Sequence, residues 1–167
     1  ELLDIGEVGA RVKHMNIVAA AQGQLYALKG KMAAVPERSK DFYERAIREF
    51  DVVLSSTPTN KEVLLCMATT LLELVELSVS KEGKSRPLSM WDTRVARTDN
   101  YFGRLVRHHP KFSNGLLSYA RFLERCDRHS LAERYFLRAI ENDPLNAKAL
   151  FQYGQFLSLH NAPVVGR

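Results

Sequence analysis

The sequence predicts an all-α solenoid of about seven helices packed as antiparallel pairs, and three observations predict it. Apolar and small residues recur at spacings of three and four, the period of a helix rather than a strand. The same pattern returns after 34 residues, with a proline closing each repeat. The chain of 167 residues is 46% apolar and holds only 6 Pro and 9 Gly, so it buries enough apolar surface to offset its ordering entropy. A length of this size suits one domain or a short repeat array, here a single domain over 1–167.

The first repeat spans approximately 11–58. Its first helix, about Arg11 to Ala33, matches the pattern poorly, with Ala19, Gly23 and Tyr26 as its packing candidates; its second carries Ala46, Phe50, Val53 and the closing Pro58. The second repeat spans 59–110. Leu64, Met67, Ala68 and Leu71 mark its first helix, and Phe102, Leu105 and Pro110 mark its second, Arg94 to His109. From Pro58 to Pro110 is 52 residues, 18 more than the period, which places an insertion within 80–98. Lys81 to Ser89 has the Gly, Pro and Ser punctuation of a loop. In the third repeat, 111–144, Leu116, Tyr119, Ala120 and Leu123 face one way, and Ala132, Phe136 and Ala139 do so after a turn at Asp127 to His129. Moved on by 34, the first four become Leu150, Tyr153, Gly154 and Leu157 of a half repeat or capping helix over 145–160. Ala68, Ala120 and Gly154 are read as spacers that let helices approach, and Tyr119, Phe136 and Tyr153 as the large buried area. Ser130 with Glu133 predicts a capping box for the second helix of the third repeat, and Asn146 a cap for the last helix. No helix pair of this size buries its own apolar face, so stacking must create the core.

Charge is uneven. The net charge is +5, but residues 80–140 hold 13 Lys and Arg against 6 Asp and Glu, whereas residues 1–79 hold 9 against 11. A basic block of this kind suits an acidic peptide, an anionic surface or nucleic acid as well as a solvated helix face. The longest apolar stretch, Val63 to Val79, is interrupted by Glu73 and Glu76 and falls short of the roughly 18 residues of a membrane span. The acidic start without Met reads as a segment of a longer protein, with no signal peptide. Cys66 and Cys126 lie in apolar helical patterns and no Asn-x-Ser/Thr occurs, which favours a reduced intracellular setting, cytoplasmic or nuclear.

Chemistry-bearing patterns are sparse, and no enzyme, cofactor or metal site is expected. Gly83-Lys84-Ser85 has Ser78 where a phosphate-binding loop needs its first glycine, and it follows a helix rather than a strand. His108 and His109 adjoin on a helix end, where neighbouring side chains diverge by about 100 degrees and do not share a metal. Trp91 is read as a plug for the irregular corner beside the insertion, the alternative being an exposed binding anchor. Arg86-Pro-Leu-Ser89 places an arginine three residues before serine, which makes Ser89 a candidate phosphosite whose charge would weaken the basic block.

Leu116, Tyr119, Ala120, Leu123, Ala132, Phe136, Ala139 and Pro144 resemble the eight signature positions of a tetratricopeptide repeat, and neighbouring segments match in part over most of residues 41–160. The resemblance implies a right-handed solenoid whose first helices line a concave groove. On that basis Glu62, Leu65, Thr69 and Leu72, then Asn114, Leu117, Ser118, Arg121 and Arg125, then Lys148, Phe151, Gln152 and Gln155 are the exposed groove positions. Relatives that clamp the terminal carboxylate of chaperone tails use Lys, Asn and Arg where this sequence has Leu65, Thr69, Ser118, Lys148 and Gln152, and only Lys148 fits. The implied function is a non-catalytic interaction scaffold. Its leucines and Phe151 receive a partner peptide or helix, and Arg121, Arg125 and Lys148 pair its acidic residues. The alternative is a half-repeat scaffold of an RNA-processing or other nucleic-acid complex, which Tyr43 to Ile47 and Arg134 to Ile140 also resemble. Against it, the large aromatics are assigned to packing and none is interleaved with the basic residues. Phe151, Phe156 and Leu159 leave the C-terminal end apolar, so a homodimer through it is a further expectation.

Overall fold

A computed structural model describes residues 5–80 and 86–160. These form seven α-helices and no strand: α1 (Ile5–Met32), α2 (Pro36–Ser56), α3 (Lys61–Ser80), α4 (Thr93–His108), α5 (Ser113–Arg125), α6 (His129–Asn142) and α7 (Ala147–His160). They fall into two compact units, residues 1–85 and 86–167.

In the first unit, α1 and α2 are joined by three residues and run antiparallel. The register is set by two glycines seven residues apart on α1. A Cβ on Gly23 would lie 2.5 Å from the Phe50 ring, and one on Gly30 would lie 2.5 Å from the Tyr43 ring. Only hydrogen at those positions lets the two α2 rings reach the α1 backbone. The weak first-helix match is thereby explained: Ala19 and Gly23 are buried as expected and Gly30 joins them, while Tyr26 is half-buried and stacks on Phe42. Leu64, Met67 and Ala68 of α3 are fully buried, and Leu71 nearly so.

The second unit repeats one packing arrangement at the 34-residue period. Phe102 of α4 meets Tyr119 and Phe122 of α5 at ring-centroid distances of 5.6 and 5.4 Å. Phe136 of α6 meets Tyr153 and Phe156 of α7 at 6.0 and 5.2 Å. Each tyrosine then donates its hydroxyl to a carboxylate on the preceding helix, Tyr119 to Asp99 at 2.9 Å and Tyr153 to Glu133 at 3.1 Å. A buried phenol needs such a partner.

Helix ends follow local chemistry. Asn60 and Asn146 cap α3 and α7, accepting from the N–H of Val63 and of Ala149, both at 3.1 Å. Asp92 caps α4 by accepting from Arg94 N–H at 2.8 Å. The expected capping box at Ser130 is absent, because α6 starts two residues earlier than that box requires, at His129 with Arg128 at the cap position, and no side chain caps it. The preceding turn decides this. Asp127 takes a left-handed φ of 59°, and Arg128 N–H returns to Leu123 C=O at 2.9 Å, so the chain enters α6 directly from the end of α5.

The 18 extra residues of the second repeat are distributed. Compared with α5, the connection and α6, α3 is longer by seven residues, the connection 81–92 by nine and α4 by two. Within that connection Leu88 is buried and its N–H bonds Arg125 C=O at 2.8 Å. Trp91 does not plug the corner. It is 96% exposed, because Leu88 already fills the apolar contact and the turn after it carries Trp91 outward. Gly154 is no spacer either, since a Cβ there would meet nothing within 4 Å. No helix among the described residues is long and apolar enough to cross a membrane.

Candidate functional site

The expected groove residues separate by compact unit. On α3, Glu62 is exposed, and Leu65, Thr69 and Leu72 are half-buried, with the Thr69 hydroxyl donating back to Leu65 C=O at 2.9 Å. On α5, Asn114 and Arg121 are exposed and Ser118 and Arg125 half-buried, at spacings that put all four on one face. Leu117 is a correction. It is 2% exposed and belongs to the core, because its position turns it away from that face toward the apolar side of α5. On α7, Lys148 and Gln155 are exposed, Phe151 is 66% exposed and Gln152 is half-buried.

Arg121 from α5 and Gln152 and Gln155 from α7 meet in one cleft of about 310 Å³, floored by Phe156 and rimmed by Leu159. The Gln152 side-chain oxygen is buried there with no hydrogen-bond partner. An unsatisfied amide of this kind is unusual, and a donor entering the cleft would relieve it. Glu124 also lines the cleft, and its carboxylate is held by His160 Nε2 at 3.2 Å. The His160 ring lies 3.9 Å from that of His129, whose Nε2 sits 2.7 Å from Asp127. The sequence carried no hint of this group: Glu124 and His160 occupy the 34-residue frame opposite Ser158 and Cys126, so no periodic signal pairs them.

The remaining candidates are scattered. Ser89 is exposed and its hydroxyl accepts from Trp91 N–H at 3.3 Å; Gly83-Lys84-Ser85 lies outside the described residues. Cys126 is buried at the end of α5, and Cys66 is half-buried with Sγ accepting from Gln24 at 3.9 Å. Burial pushes the Cys66 thiol up from its ordinary range, which disfavours the nucleophilic thiolate. Among the described residues no three His, Cys, Asp or Glu are grouped to hold a metal ion. Tyr101 and Tyr135 are half-buried, each with an arginine over its ring, and the Tyr135 ring also packs on that of Tyr119 at a centroid distance of 4.7 Å. Trp91 is the exposed exception to the expectation that the aromatics of the basic block are committed to packing.

Residues 113–156 match the family model of the tetratricopeptide repeat. No curated protein matches the chain. Among solved structures, the first TPR of Spaghetti (RPAP3) bound to HSP90 peptide SRMEEVD is similar, with a TM-score of 0.65 at 13% identity, covering 89% of this chain and 95% of that one. The crystal structure of MamA protein is similar with a TM-score of 0.53 at 17% identity, over 83% of this chain and 63% of that one. The likeness is one of fold, and the matched segment contains α5, α6 and the first ten residues of α7.

Proposed function

We propose, from an all-α tetratricopeptide-like helical repeat as the premise, that this chain is a non-catalytic interaction scaffold whose α5/α7 face holds an acidic, amphipathic segment of a partner protein. The observation that carries the reading is the cleft that gathers Arg121, Gln152 and Gln155 around a buried, unpartnered amide oxygen. A backbone N–H of an extended peptide supplies the missing donor, Phe156 and Leu159 take an apolar side chain, and Arg121, Arg125 and Lys148 attract carboxylates. The similar fold bound to an HSP90 peptide supports a peptide ligand. Leu65, Thr69, Ser118 and Gln152 in place of clamp residues favour an internal acidic segment over a free C-terminus. Leu65, Thr69 and Leu72 form the corresponding face of the first unit and are a second surface, tested separately.

The test is selection from a random peptide library on the full chain, followed by anisotropy titration against an Arg121→Glu/Arg125→Glu/Lys148→Glu variant and a Gln152→Ala variant. Acidic peptides with spaced apolar residues are expected, with affinity lost by about a hundredfold on charge reversal and about tenfold at Gln152. Peptides that bind wild type and both variants equally would overturn the assignment.

A further inference from the structure

One side of α7 is covered and the other is not. Ala149 and Phe156 turn inward and are buried, whereas Ala147, Leu150, Phe151, Gly154 and Ser158, at the spacing of a single helix face, are exposed, Phe151 to 66% and Leu150 to 47%. Leu157, at the edge of that face, is half-buried. The 34-residue period gives the covered counterpart. Leu116, Ala120 and Leu123 of α5 stand where α7 has Leu150, Gly154 and Leu157, and all three are 0% exposed. On α6 a second set, Ala132, Phe136 and Ala139, is buried as completely. These two helices pack antiparallel, the Ser113 hydroxyl at the start of α5 donating to Ala139 C=O near the end of α6 at 2.8 Å.

Both sets recur together on the uncovered face of α7. The order small, Phe, small at intervals of four and three is Ala132, Phe136 and Ala139 on α6, and it is Ala147, Phe151 and Gly154 on α7. The order Leu, small, Leu at the same intervals is Leu116, Ala120 and Leu123 on α5, and it is Leu150, Gly154 and Leu157 on α7. The sets overlap at Gly154, where a Cβ would meet nothing of its own chain within 4 Å. A face that holds both kinds of packing stripe is complementary to itself when a second copy is turned through a two-fold axis. Charge agrees with that occupant. Residues 147–160 contain no Asp or Glu, and Lys148 and His160 fall outside the face, so no like charge opposes a second copy and no charge selects an ionic partner.

We propose that two copies of this chain associate through α7, antiparallel about Gly154, with Leu150 and Phe151 of each covered by the other. The homodimer expected at the C-terminal end then rests neither on Phe156, which is core, nor on Leu159, which rims the peptide cleft. Ser158 alone belongs to both the face and the cleft lining, so the dimer and the peptide site are tested independently.

The test is sedimentation velocity of the full chain across a hundredfold range of concentration reaching several hundred micromolar. A contact between two helices of 14 residues lies at the small end of protein interfaces, so a monomer–dimer equilibrium with a Kd of roughly tens of micromolar is expected. Gly154→Leu adds apolar surface where the single chain has open space, so unspecific adhesion would strengthen. A close antiparallel contact has no room for that side chain, and the Kd should rise by about tenfold or more. Phe151→Glu should do the same with unchanged far-UV circular dichroism, since its ring is largely exposed. Trp91→Ser, which removes a ring 96% exposed elsewhere in the unit, should leave the Kd as it is. The proposal is overturned if the chain stays monomeric throughout, or if folded Gly154→Leu protein dimerises as tightly as wild type. It is equally overturned if Trp91→Ser dissociates the dimer, or if the mass grows past a dimer with concentration, as a head-to-tail contact would make it.

Discussion

At the scale of the residue, three tyrosine hydroxyls have surroundings that disfavour their ionisation. Burial first, and then the neighbouring Asp99, hold the Tyr119 phenol well above its ordinary range; burial and Glu133 raise Tyr153 in the same direction. Tyr43 is pushed up to about 12 by burial, with Glu73 adding to it. A phenol whose pKa is raised by folding stabilises the fold fully below its unfolded value near 10, and that contribution is lost as pH rises through the folded value. Alkaline titration followed at the phenolate absorbance should therefore show these three ionising together with loss of helicity. Tyr119→Phe should lower stability by about 1–2 kcal/mol at neutral pH, by leaving Asp99 without its donor. It should also make unfolding less steep in alkali. Tyr153→Phe should lose less, since Tyr153 is only half-buried.

At the scale of the element, two glycines that read alike in sequence do opposite things. Gly23 lies under the fully buried Phe50 ring, whereas Gly154 faces open space. Gly23→Ala forces α1 and α2 apart and is expected to destabilise by about 1–3 kcal/mol. Gly154→Ala adds helix propensity without a clash and is expected to stabilise by about 0.5–1 kcal/mol. Urea unfolding of the two variants measures both, and equal signs would show that the close approach does not set the α1/α2 register. Between α5 and α6, Asp127 holds the left-handed turn that a glycine would adopt without strain. An aspartate tolerates that geometry better than a β-branched residue, and it holds His129 as well.

At the scale of the whole molecule, stability is a sum of helix-to-helix interfaces rather than of one central core. Seven residues of α5 are buried, and only Ala149 and Phe156 on α7. Amide hydrogen exchange should therefore be fastest in α7 among the helices of the second unit and slowest in α5, because local opening of α7 uncovers the least apolar area. Equal protection of the two helices would contradict that ordering. The cleft that carries the proposed peptide site depends on α7, so occupation by peptide should slow exchange in α7 more than in α5.

The helices, their order, the 34-residue period and the packing residues Phe102, Tyr119, Ala120, Phe136 and Ala139 were legible in the sequence, because one apolar stripe per helix leaves a local periodic trace. Even the insertion was countable from Pro58 and Pro110. What only the tertiary structure decided is what each stripe meets. Gly30 is indispensable because the Tyr43 ring lies over it, Gly154 is free because nothing does, and no spacing distinguishes them. Leu117 sits in the core and Trp91 outside it, since whether an apolar or aromatic residue is covered depends on the neighbouring helix rather than on its own. The Asp99–Tyr119 and Glu133–Tyr153 bonds repeat at the same period, yet an acidic residue on a helix reads as a solvent-facing charge until the next helix brings a hydroxyl to it.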